Sequence, residues 1–225
     1  MSAQQEWLDS LSEASNYTRW ILESVATYVQ GDVLEVGCGV GTYTTLLAKK
    51  CQSVTAVDID HSFSEAAKAA TKAEKNVTVL CADATKDLPD GQFDTIIMLD
   101  VLEHIEDDAG FIKALKDKLR PNGRIILKIP ALPKLLNSMD HAVGHYRRYD
   151  TEMLHAVASK AGMKVVGKTA FNALGIAGWW WNGLKNRDVA PASQIAGFDR
   201  IVPVARLLDY LSFKKIGLSL VVAFE

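Results

Sequence analysis

Residues 32–44 read DVLEVGCGVGTYT. A short β-favouring run carries an acid near its end, glycine follows at three alternating positions, and a helix-compatible stretch begins directly behind. This constrains the fold more than any other part of the chain, because it suits a strand that turns tightly into a helix. The rhythm then repeats. Strands are expected at Asp32–Val36, Ser53–Val57, Val77–Cys81, Thr95–Leu99 and Arg124–Ile129, separated by helical patterns over Thr42–Lys50, Phe63–Ala73 and Asp107–Leu119. RPNG at 120–123 reads as a turn that stops a helix and launches the next strand. One or two amphipathic helices fit residues 4–29, another fits Thr151–Ala161, and further strands fit Lys164–Thr169 and Leu218–Phe224. Short buried strands alternating with helices predict an α/β, doubly wound, mostly parallel sheet of seven strands.

At 225 residues the chain suits one large domain rather than two. We expect a helical cap over 1–30, a ligand-binding core over 31–130, and acceptor-side insertions at 131–150 and 170–216, where the rhythm breaks. A net charge of −2 gives no general case for nucleic acid as a partner. The three cysteines show neither metal nor redox spacing, which fits a reducing, cytoplasmic compartment. The polar N-terminus does not read as a signal peptide, and no run of about 20 apolar residues is present to span a bilayer.

In open α/β sheets a ligand sits beyond the carboxyl ends of the strands. Gly37, Gly39 and Gly41 would let it lie against bare backbone there. Their spacing is G-x-G-x-G, and the place where a dinucleotide fingerprint wants its third glycine holds Thr42. Glu35 adds an acid that would repel a pyrophosphate and could pair with an ammonium. LEVGCGVGTYT resembles the first motif of class I S-adenosylmethionine-dependent methyltransferases, and VTAVDID, LCADATKDLP, FDTIIMLDVLEHIED and LRPNGRIILKIP follow in that family's order over roughly residues 17–130.

The resemblance implies a Rossmann-like seven-stranded sheet with an antiparallel last strand. It also implies S-adenosylmethionine as cofactor and S-adenosylhomocysteine as its product. It places Glu35, Gly37, Cys38, Gly39 and Gly41 around the donor's amino-acid end, and Asp58 with Ile59 at the ribose. Asp83 with Ala84 falls at the adenine, and Leu99, Asp100, Val101 and His104 line the donor. Tyr17 falls in the N-terminal segment that closes over the donor in related enzymes.

The acceptor side is less determined. DHAVGHYRRYD at 140–150 sets His141, His145, Tyr146, Arg147, Arg148 and Tyr149 behind the fifth strand, and a similar GHYRRY segment recurs in a bacterial subgroup of the family. One reading is an acceptor clamp, with His145, His141, His104 or Tyr146 catalytic and His141, His145, Arg147 and Trp180 touching substrate. The other is structural: an arginine pairs with a helix-end acid, the tyrosines pack, and Asp150 or Thr151 caps the next helix. The spacing of His141 and His145 lacks a third ligand, so no metal is expected. GIAGWWWNGL and the basic surroundings of 168–215 suggest a hydrophobic acceptor pocket or a peripheral membrane contact. The expected reaction is methyl transfer to the oxygen or nitrogen of a small or lipid-like molecule. The alternatives are a non-methylating S-adenosylmethionine-binding protein (a cyclisation helper or a regulator) and a dinucleotide-dependent oxidoreductase. The oligomeric state is not legible.

Overall fold

The computed structural model describes residues 3–225; Met1 and Ser2 of the expected cap lie outside the described residues. Seven strands, β1 (Asp32–Val36), β2 (Ser53–Asp58), β3 (Val77–Cys81), β4 (Phe93–Leu99), β5 (Leu119–Pro130), β6 (Val165–Phe171) and β7 (Ser219–Phe224), form one sheet in the order β3-β2-β1-β4-β5-β7-β6. The first five pair in parallel, and β7 runs antiparallel to both neighbours, β5 and β6. This is the doubly wound, mostly parallel sheet with a reversed last strand that the sequence suggests.

Period-two geometry explains why the strands are apolar at successive positions. Val33, Ile97, Ile126 and Val221 enter one core, while their neighbours Leu34, Ile96, Ile125 and Val222 enter the other. Helices α2 (Ser15–Val25), α3 (Thr42–Ala48) and α9 (Ala192–Leu211) cover the first face through Ile21, Val25, Leu47, Val202 and Ala205. On the second face lie α5 (Asp108–Lys116) and α7 (Thr151–Lys160), contributing Ile112, Leu115, Leu154 and Ala158. The remaining helices are α1 (Ala3–Glu13), α4 (His61–Ala70), α6 (Ser138–Ala142) and α8 (Gly175–Leu184).

One expectation is corrected here. RPNG is not a turn outside the sheet but an irregularity within β5: Leu119 pairs with Phe93 and Arg124 with Thr95, so the four residues between them bulge. Asn122 takes a left-handed φ of 65° there, and Arg120 uses the excursion to reach Asp32 and Asp94 at 2.8 and 2.7 Å. Within the 170–216 insertion, α9 runs from Ala192 to Leu211 and carries Pro203 inside it. Among the described residues no helix is long and apolar enough to cross a membrane.

The insertion is tied down by two acids of α9. Asp199 accepts from the Tyr17 N–H (2.8 Å) and the Asn16 amide (3.0 Å), placing negative charge at the start of α2. Asp209 is buried and accepts the N–H groups of Asn172 (2.7 Å) and Ala173 (2.8 Å) just past β6. Asp209→Ala strands one buried and one half-buried donor, and urea denaturation should show a loss of about 2–4 kcal/mol. A loss under about 0.5 kcal/mol would mean that those donors find other partners.

Candidate active site

The carboxyl ends of β1, β2, β4 and β5 open into a cavity of about 570 Å³, within the size range of small-molecule sites. Helices α1, α8 and α9 close it from above through Trp7, Leu8, Leu11, Trp179, Ile195 and Phe198.

The glycine loop forms one wall. Gly37 has φ 77° and Gly41 φ 84°, and a Cβ on Gly41 would stand 2.9 Å from the Ala67 backbone of α4. Gly41 thus serves the close approach of α3 to α4 rather than lining the cavity, and Thr42 opens α3 behind it. The loop's N–H groups are partly spent: Gly37 and Cys38 donate to the Val57 carbonyl, and Gly39 donates to Asp58 at 2.7 Å. What those positions offer a ligand is shape rather than free donors. Burial pushes the Cys38 thiol well above its ordinary pKa, and the charges of Glu35 and Asp58 push it further. It is a small buried group and not a nucleophile.

Glu35 differs from its expected role. It is buried beneath the loop, outside the cavity wall, and its carboxyl accepts the Thr44 hydroxyl at 2.6 Å, joining β1 to α3. Burial raises its pKa to about 8 against the opposing Thr44 hydrogen bond. Asp58 does reach the cavity. Its two oxygens hold the N–H groups of Gly39 and Asp60, and each keeps a lone pair for another donor. Burial raises its pKa as well. Asp83 lines the cavity beyond β3, where bonds from Lys86 and Thr85 hold its pKa down to about 2. Ile59 and Ala84 sit beside these two acids in the wall.

The β4 end supplies Leu99, Asp100 and Val101 to the wall. Asp100 has a left-handed φ of 56°, which an aspartate tolerates. Its carboxylate meets the buried Lys128 ammonium, and its N–H bonds the Lys128 carbonyl at 2.8 Å. The sequence reading passes over Lys128, although a lone lysine in the apolar run RIILKIP signals a buried, paired charge. Tyr17 completes this corner. Burial raises its phenol pKa and Lys128 draws it back, while Asn172 donates to its hydroxyl at 3.4 Å.

His145 reaches the same cavity, and its Nδ1 lies 2.8 Å from Asp140, with Nε2 3.8 Å from Glu103. Asp140 is fully buried and also accepts the Arg148 Nε–H at 2.9 Å. Burial pushes its pKa up, but the His145 and Arg148 bonds outweigh that, and it ends below the ordinary value. An ionised Asp140 only accepts, so Nδ1 carries the proton and Nε2 is left as the base. Arg148 also bonds the Ala131 carbonyl and stacks over Trp179 at 4.4 Å. His104 lies edge-on to His145 with centroids 4.7 Å apart, and burial together with the neighbouring His145 lowers its pKa to about 4. Glu103 is buried with neither oxygen hydrogen-bonded, and burial and Asp100 raise its pKa well above the carboxylate range.

The residues of the GHYRRY segment divide between the cavity and the packed scaffold. His145 enters the cavity, as the clamp reading expects. Arg147 does not: it pairs with Asp108 at the start of α5 (2.6 Å), Tyr149 is fully buried, and Asp150 caps α7 through the Met153 N–H. His141 and Tyr146 are exposed and outside the wall. Trp180 also points away, 55% exposed, and the tryptophan that lines the cavity is Trp179. Neighbouring residues on a helix lie about 100° apart, so at most one or two of three consecutive tryptophans can face inward. Asp140 and Glu103 beside His145, and Arg148 and Trp179 in the wall, thus join the candidate site beyond the catalytic and substrate residues expected from sequence.

Because Glu35 holds its proton in the fold and loses it on unfolding, its contribution to stability is full below its unfolded pKa. It is lost as pH rises toward about 8. Glu35→Gln should flatten that decline, which is of the order of a few kcal/mol between pH 5 and 8 in denaturant titrations of the wild-type protein. Parallel slopes for the two proteins would show that the carboxyl is ionised in the fold.

Residues 34–127 match the protein family described as a methyltransferase domain. A ubiquinone biosynthesis O-methyltransferase of Rickettsia conorii is 37% identical over 98 residues, covering 43% of this chain and 34% of that protein. A demethylmenaquinone methyltransferase of Tropheryma whipplei is 30% identical over 96 residues, covering 43% and 40%. The match thus spans less than half of either relative. Among solved structures, coclaurine N-methyltransferase superposes with a TM-score of 0.62 at 18% identity, covering 94% of this chain and 72% of that one. An S-adenosylmethionine-dependent methyltransferase from Clostridium acetobutylicum gives 0.59 at 13%, covering 94% and 91%. At these identities the likeness is one of fold. Residues 34–127 thus resemble a methyltransferase domain, and the chain has the fold seen in S-adenosylmethionine-dependent methyltransferases.

Proposed function

We propose that this chain moves a methyl group from S-adenosylmethionine to a proton-bearing oxygen or nitrogen of a small or lipid-like acceptor, leaving S-adenosylhomocysteine. The observation that carries the proposal is one shared cavity: the glycine loop, Asp58 and Asp83 line it together with a His145 ring oriented by a buried carboxylate. The donor set suits the cofactor. Asp58 keeps lone pairs for ribose hydroxyls, Asp83 is ionised and ready to accept an amino group, and the wall between them is apolar. The chemistry that the donor supplies when bound is an electrophilic methyl carbon on a positively charged sulfur.

The chain's own residues then have three tasks. Trp7, Leu8, Leu11, Trp179 and Phe198 exclude water and hold an apolar acceptor body, so that its nucleophile is presented in line. His145 Nε2 takes the nucleophile's proton, and Asp140 compensates the imidazolium through Nδ1. Arg148 keeps Asp140 ionised and orients it, while neutral His104 and neutral Glu103 add no competing fixed charge beside the ring. An apolar acceptor also agrees with the two curated relatives, whose names concern ubiquinone and demethylmenaquinone.

Calorimetry should register S-adenosylmethionine and S-adenosylhomocysteine, and methyl-labelled donor should label phenolic, quinol or amine acceptors with an apolar body. Binding of NADH in preference to both would overturn the proposal. His145→Ala should slow labelling about 10²–10⁴-fold, while donor affinity stays within about twofold. Full activity in that variant would remove His145 as the base.

A further inference from the structure

Sixteen large hydrophobic side chains are exposed among the described residues, and eleven of them lie between Trp180 and Ile216. Scattered exposed apolar residues are ordinary, but a concentration of this kind marks a surface that meets something. Its main element is α9. Val202, Ala205 and Asp209 occupy the buried face, yet Ile201, Val204, Leu207, Leu208 and Leu211 form a second apolar stripe on the opposite side, open to solvent. A helix that is apolar on both sides is normally buried on both. The stripe runs into a turn in which Phe213 and Lys214 take left-handed φ values of 54° and 52°. This backbone disfavours a bulky residue, and it holds Phe213 outward at 81% exposure.

Charge separates the candidate occupants. From Gly175 to Ile216 the chain has six cations (Lys185, Arg187, Arg200, Arg206, Lys214 and Lys215) against Asp188, Asp199 and Asp209, although the whole protein carries −2. Two of those three acids are turned inward, Asp199 to α2 and Asp209 into the end of β6. Lys214 and Lys215 directly follow the protruding Phe213, and Lys185 lies over the Trp181 ring at 4.7 Å. Aliphatic stripe, aromatic tip and adjacent lysines match the requirements of an anionic bilayer surface. They suit a second copy of the chain poorly, since a two-fold contact there would set like cations against each other, and lysine is depleted at such interfaces.

We propose that the outward stripe of α9 and the 212–216 turn dock this protein onto a membrane surface containing anionic lipids. The same helix lines the cavity on its other side through Gln194, Ile195 and Phe198, so docking would bring the cavity wall to the bilayer where a lipid-like acceptor resides. The inference rests on the exposed face of α9 and stands independently of the methyl-transfer reading.

The test is flotation of the full-length protein with vesicles of phosphatidylcholine alone or with about 30% phosphatidylglycerol, in the range where anionic lipids attract basic segments. The wild-type protein should float with the anionic vesicles and stay behind with the neutral ones. Lys214→Glu with Lys215→Glu should weaken anionic binding at least about tenfold. Leu207→Glu with Leu211→Glu should abolish it, with the melting temperature and the calorimetric S-adenosylmethionine affinity unchanged. No flotation of the wild-type protein at millimolar lipid would overturn the proposal. So would flotation that the Leu207→Glu, Leu211→Glu variant retains, or a wild-type dimer in sedimentation velocity that this variant dissolves.

Discussion

A parallel sheet covered on both faces has few places where a charge can be desolvated safely, and here they collect along the carboxyl edge. The buried and half-buried acids brought into that edge, Glu103 apart, arrive with donors. Glu35 has Thr44, Asp58 has the Gly39 and Asp60 amides, Asp100 has Lys128, and Asp140 has both Arg148 and His145. An unpaired buried carboxylate would cost several kcal/mol or neutralise itself by taking up a proton. These pairings position the loop, the β4 end and the imidazole relative to one another. Glu103, with no hydrogen-bond partner, stays protonated, as Glu35 also does despite its Thr44 bond.

Asp140 shows how one such pair organises a site. It caps α6 from within, accepting the Asn137 N–H at 3.0 Å, and it also holds Arg148 and His145. Arg148 in turn fixes the Ala131 carbonyl at the end of β5 and lies against Trp179 of α8. The loop behind β5 and the insertion behind β6 are thereby held to one cavity wall. The positioned imidazole and the apolar roof are parts of a single connected arrangement.

The fold was largely legible before any coordinates. Strand positions emerged from runs such as TIIML and RIILKI, because a strand buried on both faces must be apolar at consecutive positions. The glycine loop was legible because left-handed backbone at Gly37 and Gly41 demands glycine locally. RPNG was misread: glycine and proline mark a change of direction, but only the neighbouring strand shows whether that change leaves the ladder or bulges within it. In the candidate site the sequence points to Asp58, Asp83 and His145, which stand in the cavity wall, but to Trp180 and Arg147 where Trp179 and Arg148 stand.

Periodicity and local backbone geometry carry the β-α alternation, the strand–glycine–helix turn, the caps and the helix ends. Which side chains of GHYRRY and WWW turn toward the cavity, and which acid finds which cation, follows from the folded arrangement alone. Lys128 meets Asp100 across 28 positions of chain, and Arg147 meets Asp108 across 39. Contacts at such separations depend on strand order and on how the insertions fold back, and no local pattern encodes either. A one-residue step along a helix moves a side chain by about 100°, so composition alone could name the segment but not the face.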